Sequence, residues 1–556
     1  MTVTGGFVGV FTRDDPVRTL TPTVVLLHGE IHNAAALCAE LGLPDATPLP
    51  QWLAEAWQRW GPSLLPRLDG ALALALRHGR RLMLHRDASG LRNLYFHVDA
   101  LGNVHFGSDL NQLVQAPGVP RRLSRPGLHE YLRFGDIAAP NCIYQGVVAL
   151  QPGETVIVSE EGLQCVAPPA ITATGTADER GLEEALEHLS ALLEDSLQAR
   201  LGVATCPAAF LSGGVDSSLL CALASRSRPD LAAVTVGFDG QAFDESPVAA
   251  RVAGHLGLRH EVWRFAHADC LAAFDRMAAG ADQPTADPST AVTLLALQAC
   301  RERFDAVIDG TGADEAMGNM PARYVRLAVG LASRLPPSAR RGVTRALRAL
   351  PPLARHAALT DFEHPADTMI RWHGFSRVEI EELCGEPVSF DNTQFYRTFG
   401  RFPRHAHFER FSALIDVMTC ERLNQATLLG GMPVRYPFCE PATNRWIRGL
   451  PVDLRYRPGE PKHLLRALLA RHVPQALWDG PKHGLDFPLH SFMASDGHAV
   501  VTRYLNPALW AGSGAVSPQA VQRWARRYLA GEPGLGFRIW RLVVLGAWLE
   551  AHGDIQ

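Results

Sequence analysis

The sequence lacks the features that mark several broad classes of protein. Its 556 residues carry a formal net charge of −4, without the basic excess that indicates a nucleic-acid partner. No uninterrupted apolar run reaches the roughly 18 residues of a membrane-spanning helix, and the first residues lack the basic and apolar regions of a signal peptide. The ten cysteines include no C-x-x-C pair, so no zinc site or disulfide framework can be read. These absences predict a cytoplasmic protein that binds neither nucleic acid nor a membrane.

The composition is that of a globular protein, and the sequence divides into two parts. Apolar residues make up 47% of the chain and charged residues 20%, which is ordinary for a folded protein. Residues 1–165 read as short alternating strands with turns, and the small, uncharged stretch 167–176 predicts a linker. A helix is predicted next from leucines at helical spacing, which are Leu182, Leu186, Leu189, Leu193 and Leu197. We predict one domain at 1–165 and a second at 180–556.

The most informative stretch is 211–218, LSGGVDSS, which follows a short apolar run. Gly213 and Gly214 permit positive φ and let backbone N–H groups approach an anion, and the following residues predict a helix whose N-terminus favours negative charge. The stretch lacks the spacing and the lysine of a Walker loop. A nucleotide-binding turn is the favoured interpretation, and a plain strand-to-helix connection is the alternative.

Two more apolar runs, 232–237 and 306–309, end in an acidic turn and in the glycine-rich turn GTGADE. This order is typical of a doubly wound parallel sheet that binds its ligand at the carboxyl edge. Because Mg²⁺ prefers a few carboxylates together with phosphate oxygens, Asp216 and Asp314 are candidate metal ligands. Alternatively, Asp314 and Glu315 cap the helix that follows.

These segments resemble those of asparagine synthetase-like ATP pyrophosphatases. SGGVDSS, FDES, DGTGADEAMGN, PVRYPF, KHLLR and GPKHGL occur in the order found in the family. The first domain resembles the family's class II glutamine amidotransferase domain through HGEIHN, RLDG, RDASGLRNLY and LQPG. The resemblance implies an α/β protein, with an N-terminal α+β sandwich followed by a doubly wound parallel sheet and a helical C-terminal region. It also implies ATP-dependent amide formation through an acyl adenylate, with release of AMP and pyrophosphate.

The resemblance assigns site residues as well as ATP and Mg²⁺. The expected nucleotide-binding residues are Leu211, Ser212, Gly213, Gly214, Asp216, Ser217, Ser218, Val236, Asp309 and Gly310. The expected catalytic residues are Lys482, Asp216 and Asp314, and the last two also hold the metal. Lys482 matches a family lysine near the reacting acyl phosphate, where a fixed ammonium can stabilise developing charge. A surface lysine is the alternative.

Several departures from the family pattern narrow the function. Class II amidotransferases use a cysteine at position two as the nucleophile, whereas this chain begins MTVTGG, and His28 replaces an asparagine of the glutamine pocket. We therefore predict an inactive amidotransferase domain. In the second domain, Thr311 occupies a position that is acidic in ammonia-using members and tyrosine in β-lactam-forming ones, and Pro433 replaces a second acid. Glu440 and Glu421 are the substitutes that could deprotonate an amine, unless there is no base.

These departures lead to the hypothesis of a lasso peptide macrolactam synthetase, which joins a peptide's N-terminal amine to an internal Asp or Glu side chain. Its expected partners are the peptide substrate, a leader peptidase and a leader-recognition protein. The alternative enzymes are a β-lactam synthetase or another small-molecule amide synthetase, including an ammonia-dependent asparagine synthetase. A catalytically silent scaffold is the alternative of another class, and the intact Asp216, Asp314 and Lys482 argue against it.

Two other patterns are interpreted as surface features. Residues 333–356 contain six arginines among leucines and Pro-Pro pairs, which favours solvated helices over a recognition face for an acidic peptide. His405, His407 and Glu409 lack the helical His-x-x-x-His spacing of a metal site.

Overall fold

The structure of the protein is a computed structural model, which describes residues 6–12, 24–167, 181–202, 204–238, 244–318, 320–350, 352–369, 374–403, 406–480, 487, 489–553 and 555. Most of the predicted linker, Phe243 of the FDES segment, His405 and Lys482 lie outside the described residues, as does the side chain of Glu421. Among the described residues, no helix has the length and apolarity needed to span a membrane.

In its described residues, the first domain has two antiparallel sheets and four α-helices. The strands are β1 Val8–Phe11, β2 Val24–Ile31, β3 Gly70–His78, β4 Arg81–Arg86, β5 Tyr95–Val98, β6 Val104–Gly107, β7 Val147–Ala149, β8 Thr155–Ser159 and β9 Gly162–Val166. The helices are α1 Ala34–Leu41, α2 Leu49–Trp60, α3 Leu110–Leu113 and α4 Arg125–Phe134. One sheet has the order β2-β3-β4-β8-β9 and the other β1-β6-β5-β7.

Strand β3 explains why the two sheets stack. Its sequence is apolar at nearly every position, and successive side chains of a strand point to opposite faces. Leu72, Leu74 and Leu76 pack with α1 and α2, whereas Ala73 and Ala75 face the second sheet. The small alanines on that face are buried against Phe96 and Phe106 of the second sheet, which confirms the predicted α+β sandwich.

The second domain is a parallel sheet with helices on both faces. Its strands are β10 Pro207–Phe210, β11 Ala232–Phe238, β12 Arg259–Phe265, β13 Ala306–Ile308 and β14 Val434–Arg435, and a short hairpin pairs β15 Tyr456–Arg457 with β16 Glu460–Pro461. The parallel order is β12-β11-β10-β13-β14. This confirms the predicted doubly wound sheet, whose strand order reverses beside β10.

The second domain also contains many α-helices. They are α5 Leu182–Leu201, α6 Val215–Ser227, α7 Ser246–Leu256, α8 His267–Gly280, α9 Ser289–Arg301, α10 Ala313–Met317, α11 Arg323–Ala332, α12 Pro337–Ala349, α13 Arg377–Cys384, α14 Gln394–Gly400, α15 His407–Gly430, α16 Pro441–Gly449, α17 Val452–Arg455, α18 His463–Ala470, α19 Leu489–Tyr504, α20 Pro507–Ala511, α21 Pro518–Leu529 and α22 Gly536–His552. Helices α5, α6 and α18 share one core cluster, and the helix predicted from Leu182 is confirmed as α5.

The two domains share a continuous core. Side chains of α4 in the first domain belong to the same buried cluster as those of α8, α9, α19 and α22 in the second. The Tyr131 hydroxyl donates to the Arg541 carbonyl at 2.9 Å, and the Leu110 amide donates to the Asp282 carboxylate at 3.0 Å. The first domain is therefore packed firmly against the second.

Candidate active site

The candidate site begins at the turn between β10 and α6. Gly213 has a φ of +78°, a left-handed conformation that favours glycine, and a Cβ added there would lie 2.6 Å from Val248. The Ser212 hydroxyl accepts from the Gly214 amide at 3.2 Å, and the hydroxyls of Ser212 and Ser217 lie 3.1 Å apart. These contacts hold the turn tightly at the start of a helix, where backbone N–H groups attract anions.

Asp216, in the first turn of α6, and Asp314, in α10, converge on the ammonium group of Lys462. The Lys462 ammonium donates to the Asp216 carboxylate, and it lies 2.9 Å from Asp314 Oδ1. Lys462 immediately precedes α18, has a φ of 60° and is only 7% exposed. One buried cation therefore links the two loops that the sequence predicts to bind the nucleotide.

Charge rather than burial decides the protonation of Lys462. Burial by itself lowers the pKa of an ammonium group, but the charges of Asp216 and Asp314 and their hydrogen bonds outweigh it, so the pKa of Lys462 lies above its ordinary value. The group is therefore fully charged at neutral pH. The two carboxylates already enclose one cation position, which fits a site for Mg²⁺ completed by phosphate oxygens.

Lys462 belongs to the KHLLR segment but was not among the expected site residues. Its partner Asp216 lies 246 positions away, so no local pattern links the two. The sequence nevertheless contains a signal. Of the 53 basic Lys and Arg residues, only Lys462 and Lys482 are lysines, and both lie in family motifs.

The loop after β13 packs directly on the first turn of α6. A Cβ added at Gly310 would lie 3.1 Å from that of Asp216. Asp309 Oδ1 accepts from the amide of Thr311 at 2.7 Å and from its hydroxyl at 2.6 Å. Glu315 accepts from the Gly312 amide at 2.9 Å. Glu315 thus caps α10 as the alternative interpretation expected, whereas the Asp314 carboxylate contacts Lys462.

The remaining expected nucleotide residues lie in or beneath this turn. Ser218 is fully buried in α6, and Leu211 is buried at the end of β10, where its carbonyl accepts from the Thr235 hydroxyl at 2.5 Å. Val236 is half-buried in β11. The roles assigned to these residues stay predictions.

The described candidate positions for a base are Thr311, Pro433 and Glu440, and the side chain of Glu421 lies outside the described residues. Thr311 binds Asp309, and the carbonyl of Pro433 accepts from the Val307 amide at 3.1 Å. The Glu440 carboxylate accepts from the Ser196 hydroxyl of α5 at 2.7 Å. His407 is exposed and Glu409 lies 3.9 Å from Arg455, and among the described residues no three metal-ligating side chains cluster.

The first domain contacts this site through β14. The Arg435 guanidinium donates to the Glu30 carboxylate and lies 3.2 Å from His32 Nε2. The carbonyl of Arg435 accepts from the Asp309 amide at 2.9 Å. The Ser89 hydroxyl donates to the Cys439 carbonyl. Glu30 lies in the segment that resembles the family's glutamine pocket, and here its carboxylate is bound by the second domain.

Burial and charge shift the pKa values of two side chains of β2, Glu30 and His28. Burial by itself raises the pKa of Glu30, but the hydrogen bond with His32 and the charge of Arg435 outweigh it and lower the pKa to about 2. Burial, helped by the charge of Arg92, lowers the pKa of His28 to about 4. At neutral pH β2 therefore carries an ionised Glu30 and a neutral His28.

Comparison with known proteins covers both domains. Residues 188–550 match the asparagine synthase family and residues 14–167 match a glutamine amidotransferase domain. A Mycobacterium tuberculosis protein provisionally named asparagine synthetase (glutamine-hydrolyzing) is 25% identical over 94% of this chain and 84% of its own length. Asparagine synthetase (glutamine-hydrolyzing) 1 of Bacillus subtilis is 20% identical over 85% and 77%. The carboxyethyl-arginine beta-lactam synthase of Streptomyces clavuligerus is 28% identical over 54% and 57%.

Proposed function

The chain belongs to the asparagine synthase family and is an ATP-dependent carbon–nitrogen ligase, and we propose that it is a lasso peptide macrolactam synthetase. Its substrate in this proposal is a peptide with a free N-terminal amine and an internal Asp or Glu. The side-chain carboxylate attacks the α-phosphate of ATP, which forms an acyl adenylate and releases pyrophosphate. The N-terminal amine then attacks the acyl carbon, which forms the amide and releases AMP.

We assign each group of residues described above a separate role in this reaction. The turn at 211–217 would bind the phosphates through backbone N–H groups, and Asp216 and Asp314 would hold Mg²⁺, which would draw charge off the leaving pyrophosphate. Lys462 holds the two carboxylates close together and adds a fixed positive charge. The proposed role of Lys482, opposite the developing charge on the acyl group, rests on the sequence motif alone.

The observation that carries the choice of amine is that Thr311 and Pro433 stand at the two positions where the family resemblance leads us to expect an acid. Thr311 and Pro433 carry no titratable group, the Glu440 carboxylate accepts from the Ser196 hydroxyl, and the side chain of Glu421 lies outside the described residues. A peptide α-amine has a pKa of about 8, so a useful fraction is neutral at physiological pH without help, unlike a lysine amine with a pKa of about 10.4. An N-terminal amine therefore suits this site, because folding the peptide so that both ends meet is then the enzyme's main task.

The test compares two synthetic peptides that share an internal Asp and differ only in a free or an acetylated N-terminus. Both should support ATP–pyrophosphate exchange, but only the free peptide should lose the mass of one water and release AMP. The ligation rate should rise as pH increases through about 8, the pKa of the α-amine. Release of ADP, or ligation that requires glutamine hydrolysis, would contradict the proposal.

A second candidate is supported by the likeness to the beta-lactam synthase. That reaction also closes a ring within one molecule and needs no ammonia. Carboxyethyl-arginine, and aspartate with ammonium, therefore belong in the same exchange assay. Efficient product formation from either small molecule, with none from peptides, would replace the macrolactam proposal.

Under the macrolactam proposal, a leader peptidase and a leader-recognition protein are the expected partners, because the peptide's amine must first be exposed.

A further inference from the structure

Helix α11 is apolar on both sides, although only one side is covered. Val329 and Ala332 are buried with Phe362 in a small cluster. On another side, Tyr324, Leu327 and Leu331 follow each other at helical spacing and are 65%, 59% and 63% exposed. We call these three residues the α11 face. A helix that is apolar all round is normally buried, and contiguous exposed apolar side chains mark interaction sites.

The segment that carries the α11 face is basic along the sequence, although Asp361 and Glu363 flank Phe362, which packs on the other side of α11. Residues 316–360 contain eight arginines and no Asp or Glu, although the whole chain has a net charge of −4. Arg323 and Arg334, at the two ends of α11, are exposed. Arg340 instead lies over the Phe362 ring at 4.3 Å, where it supports the buried cluster rather than the surface. The exposed arginines at the two ends of the α11 face therefore favour a partner that is acidic as well as apolar.

The α11 face is also close to the candidate site along the chain. Arg323, where α11 begins, lies only nine positions after Asp314, which contacts Lys462. Nine residues span no more than about 32 Å even when fully extended. A peptide of about ten residues can bridge that distance, so one polypeptide can contact α11 while its carboxylate lies in the site.

We propose that the α11 face and its flanking arginines dock an acidic, apolar segment of the peptide substrate that lies outside the ring-forming part. This proposal rests on the proposed function, because it takes the substrate to be a peptide. Arginine forks pair with the carboxylates of the segment, and its apolar side chains cover Tyr324, Leu327 and Leu331. Docking raises the local concentration of the reacting carboxylate at the nucleotide without a further catalytic group.

The first arm measures docking alone, without ATP. The probe is a fluorescent synthetic helix of about five turns with Asp and Glu on one side and leucines at helical spacing on the other. The wild-type protein should bind it at least about tenfold more tightly than the Asn and Gln version. The Arg323→Glu/Arg334→Glu variant should lose that preference, whereas Arg526→Glu, an exposed arginine on α21, should retain it.

A charge-swapped probe keeps the test valid if the double variant is less stable. A helix with Lys in place of Asp and Glu should bind the Arg323→Glu/Arg334→Glu variant better than it binds the wild type. Equal binding of the acidic and neutral probes by the wild type overturns the proposal. So does binding of phosphatidylglycerol vesicles without binding of the acidic probe, or a dimer in solution that dissociates on Leu327→Ser/Leu331→Ser substitution.

The second arm separates docking from the proposed function. Ring-forming peptides with and without the fused acidic segment are compared in ATP–pyrophosphate exchange. The segment should lower the KM for the peptide at least about tenfold with little change in kcat, and only in the protein with intact arginines. If neither peptide supports ATP–pyrophosphate exchange, the proposed function is wrong. The binding measurement would still test whether the α11 face docks an acidic helix. Exchange with equal KM values for both peptides would remove the docking proposal alone.

Discussion

The Lys462 ammonium and the two carboxylates it contacts behave as one unit. Each carboxylate gains a counter-charge within hydrogen-bond distance, and the lysine gains the pairing that a buried cation requires. Removing one member leaves a buried charge without compensation, which is more costly than the pair is stabilising. The unit is also the place where the triphosphate and its metal are expected, so its electrostatics couple stability to ligand binding.

Replacing Lys462 with Met should therefore change both activity and the response to metal. ATP–pyrophosphate exchange should fall by about 100-fold or more, because a fixed positive charge is lost from the site. The unfolding temperature should also fall, since Asp216 and Asp314 then face each other without a cation. Added Mg²⁺ should raise that temperature more in the variant than in the wild type, as measured by calorimetry.

Lys462→Arg is the matched control for this variant. It keeps a positive charge, so its unfolding temperature should respond to Mg²⁺ as the wild type does, although the planar guanidinium fits the two carboxylates differently. An identical Mg²⁺ response in all three proteins would show that Asp216 and Asp314 do not form a cation site.

At the scale of elements, the turn between β10 and α6 depends on Gly213. A side chain there meets two separate costs, which are the positive φ of 78° and the contact of a Cβ with Val248 at 2.6 Å. Gly257, at the end of α7, has a similar φ of 67° but no heavy atom within 4 Å of an added Cβ. Comparing the two positions separates backbone strain from crowding.

Gly213→Ala should weaken ATP binding by at least about tenfold and destabilise the protein by more than Gly257→Ala does. The shared backbone cost is about 1–2 kcal/mol, and crowding against α7 adds to it only at position 213. Isothermal titration with ATP and chemical unfolding measure the two effects. Equal destabilisation by both substitutions, with ATP affinity unchanged at position 213, would mean that the turn does not need its tight approach to α7.

The elements also show what the sequence can predict. The parallel sheet and the turn at 211–217 follow from local signals, because apolar runs end in glycines and acids where strands end. The pairing of Asp216 with Lys462 and that of Glu30 with Arg435 have no such signal, since 246 and 405 positions separate the partners. The resemblance placed these segments in order, but it did not predict which side chains meet. Only the packing of the two domains brings Glu30 to β14.

At the scale of the whole molecule, that ion pair joins the first domain to the second. Glu30→Gln should leave the Arg435 guanidinium, which is only 13% exposed, without its counter-charge, at a cost of about 3 kcal/mol. Because the Arg435 carbonyl accepts from the Asp309 amide, the KM for ATP should rise as well. Denaturant unfolding and exchange kinetics measure the two effects.

Glu40→Gln is the control for this substitution. Glu40 is 55% exposed and pairs with Arg67 at the surface, so its loss should cost less than about 1 kcal/mol and leave the KM for ATP unchanged. If Glu30→Gln behaves like this control, the interdomain ion pair contributes nothing to the site.

Two buried histidines make the stability of the whole molecule depend on pH. Burial lowers the pKa of both His28 and His85 to about 4, whereas both titrate near 6.5 when the chain is unfolded. Below pH 6.5 the unfolded chain therefore binds protons that the folded chain does not bind. The free energy of unfolding is unaffected by these histidines above pH 6.5, and it decreases as the pH falls from 6.5 towards 4. Each histidine accounts for at most about 3 kcal/mol of that loss.

The measurement is the free energy of unfolding in urea at several pH values between 7 and 4. His28→Asn and His85→Gln should each flatten the decline, because a neutral amide takes up no proton in either state. His78→Gln, at an exposed strand end, should leave the decline unchanged. Below about pH 4.5 a further loss is expected in every variant that retains Glu30, since its carboxylate has a pKa of about 2 only when folded against Arg435. A decline of unchanged slope in the His28 and His85 variants would show that both imidazoles titrate normally in the folded protein.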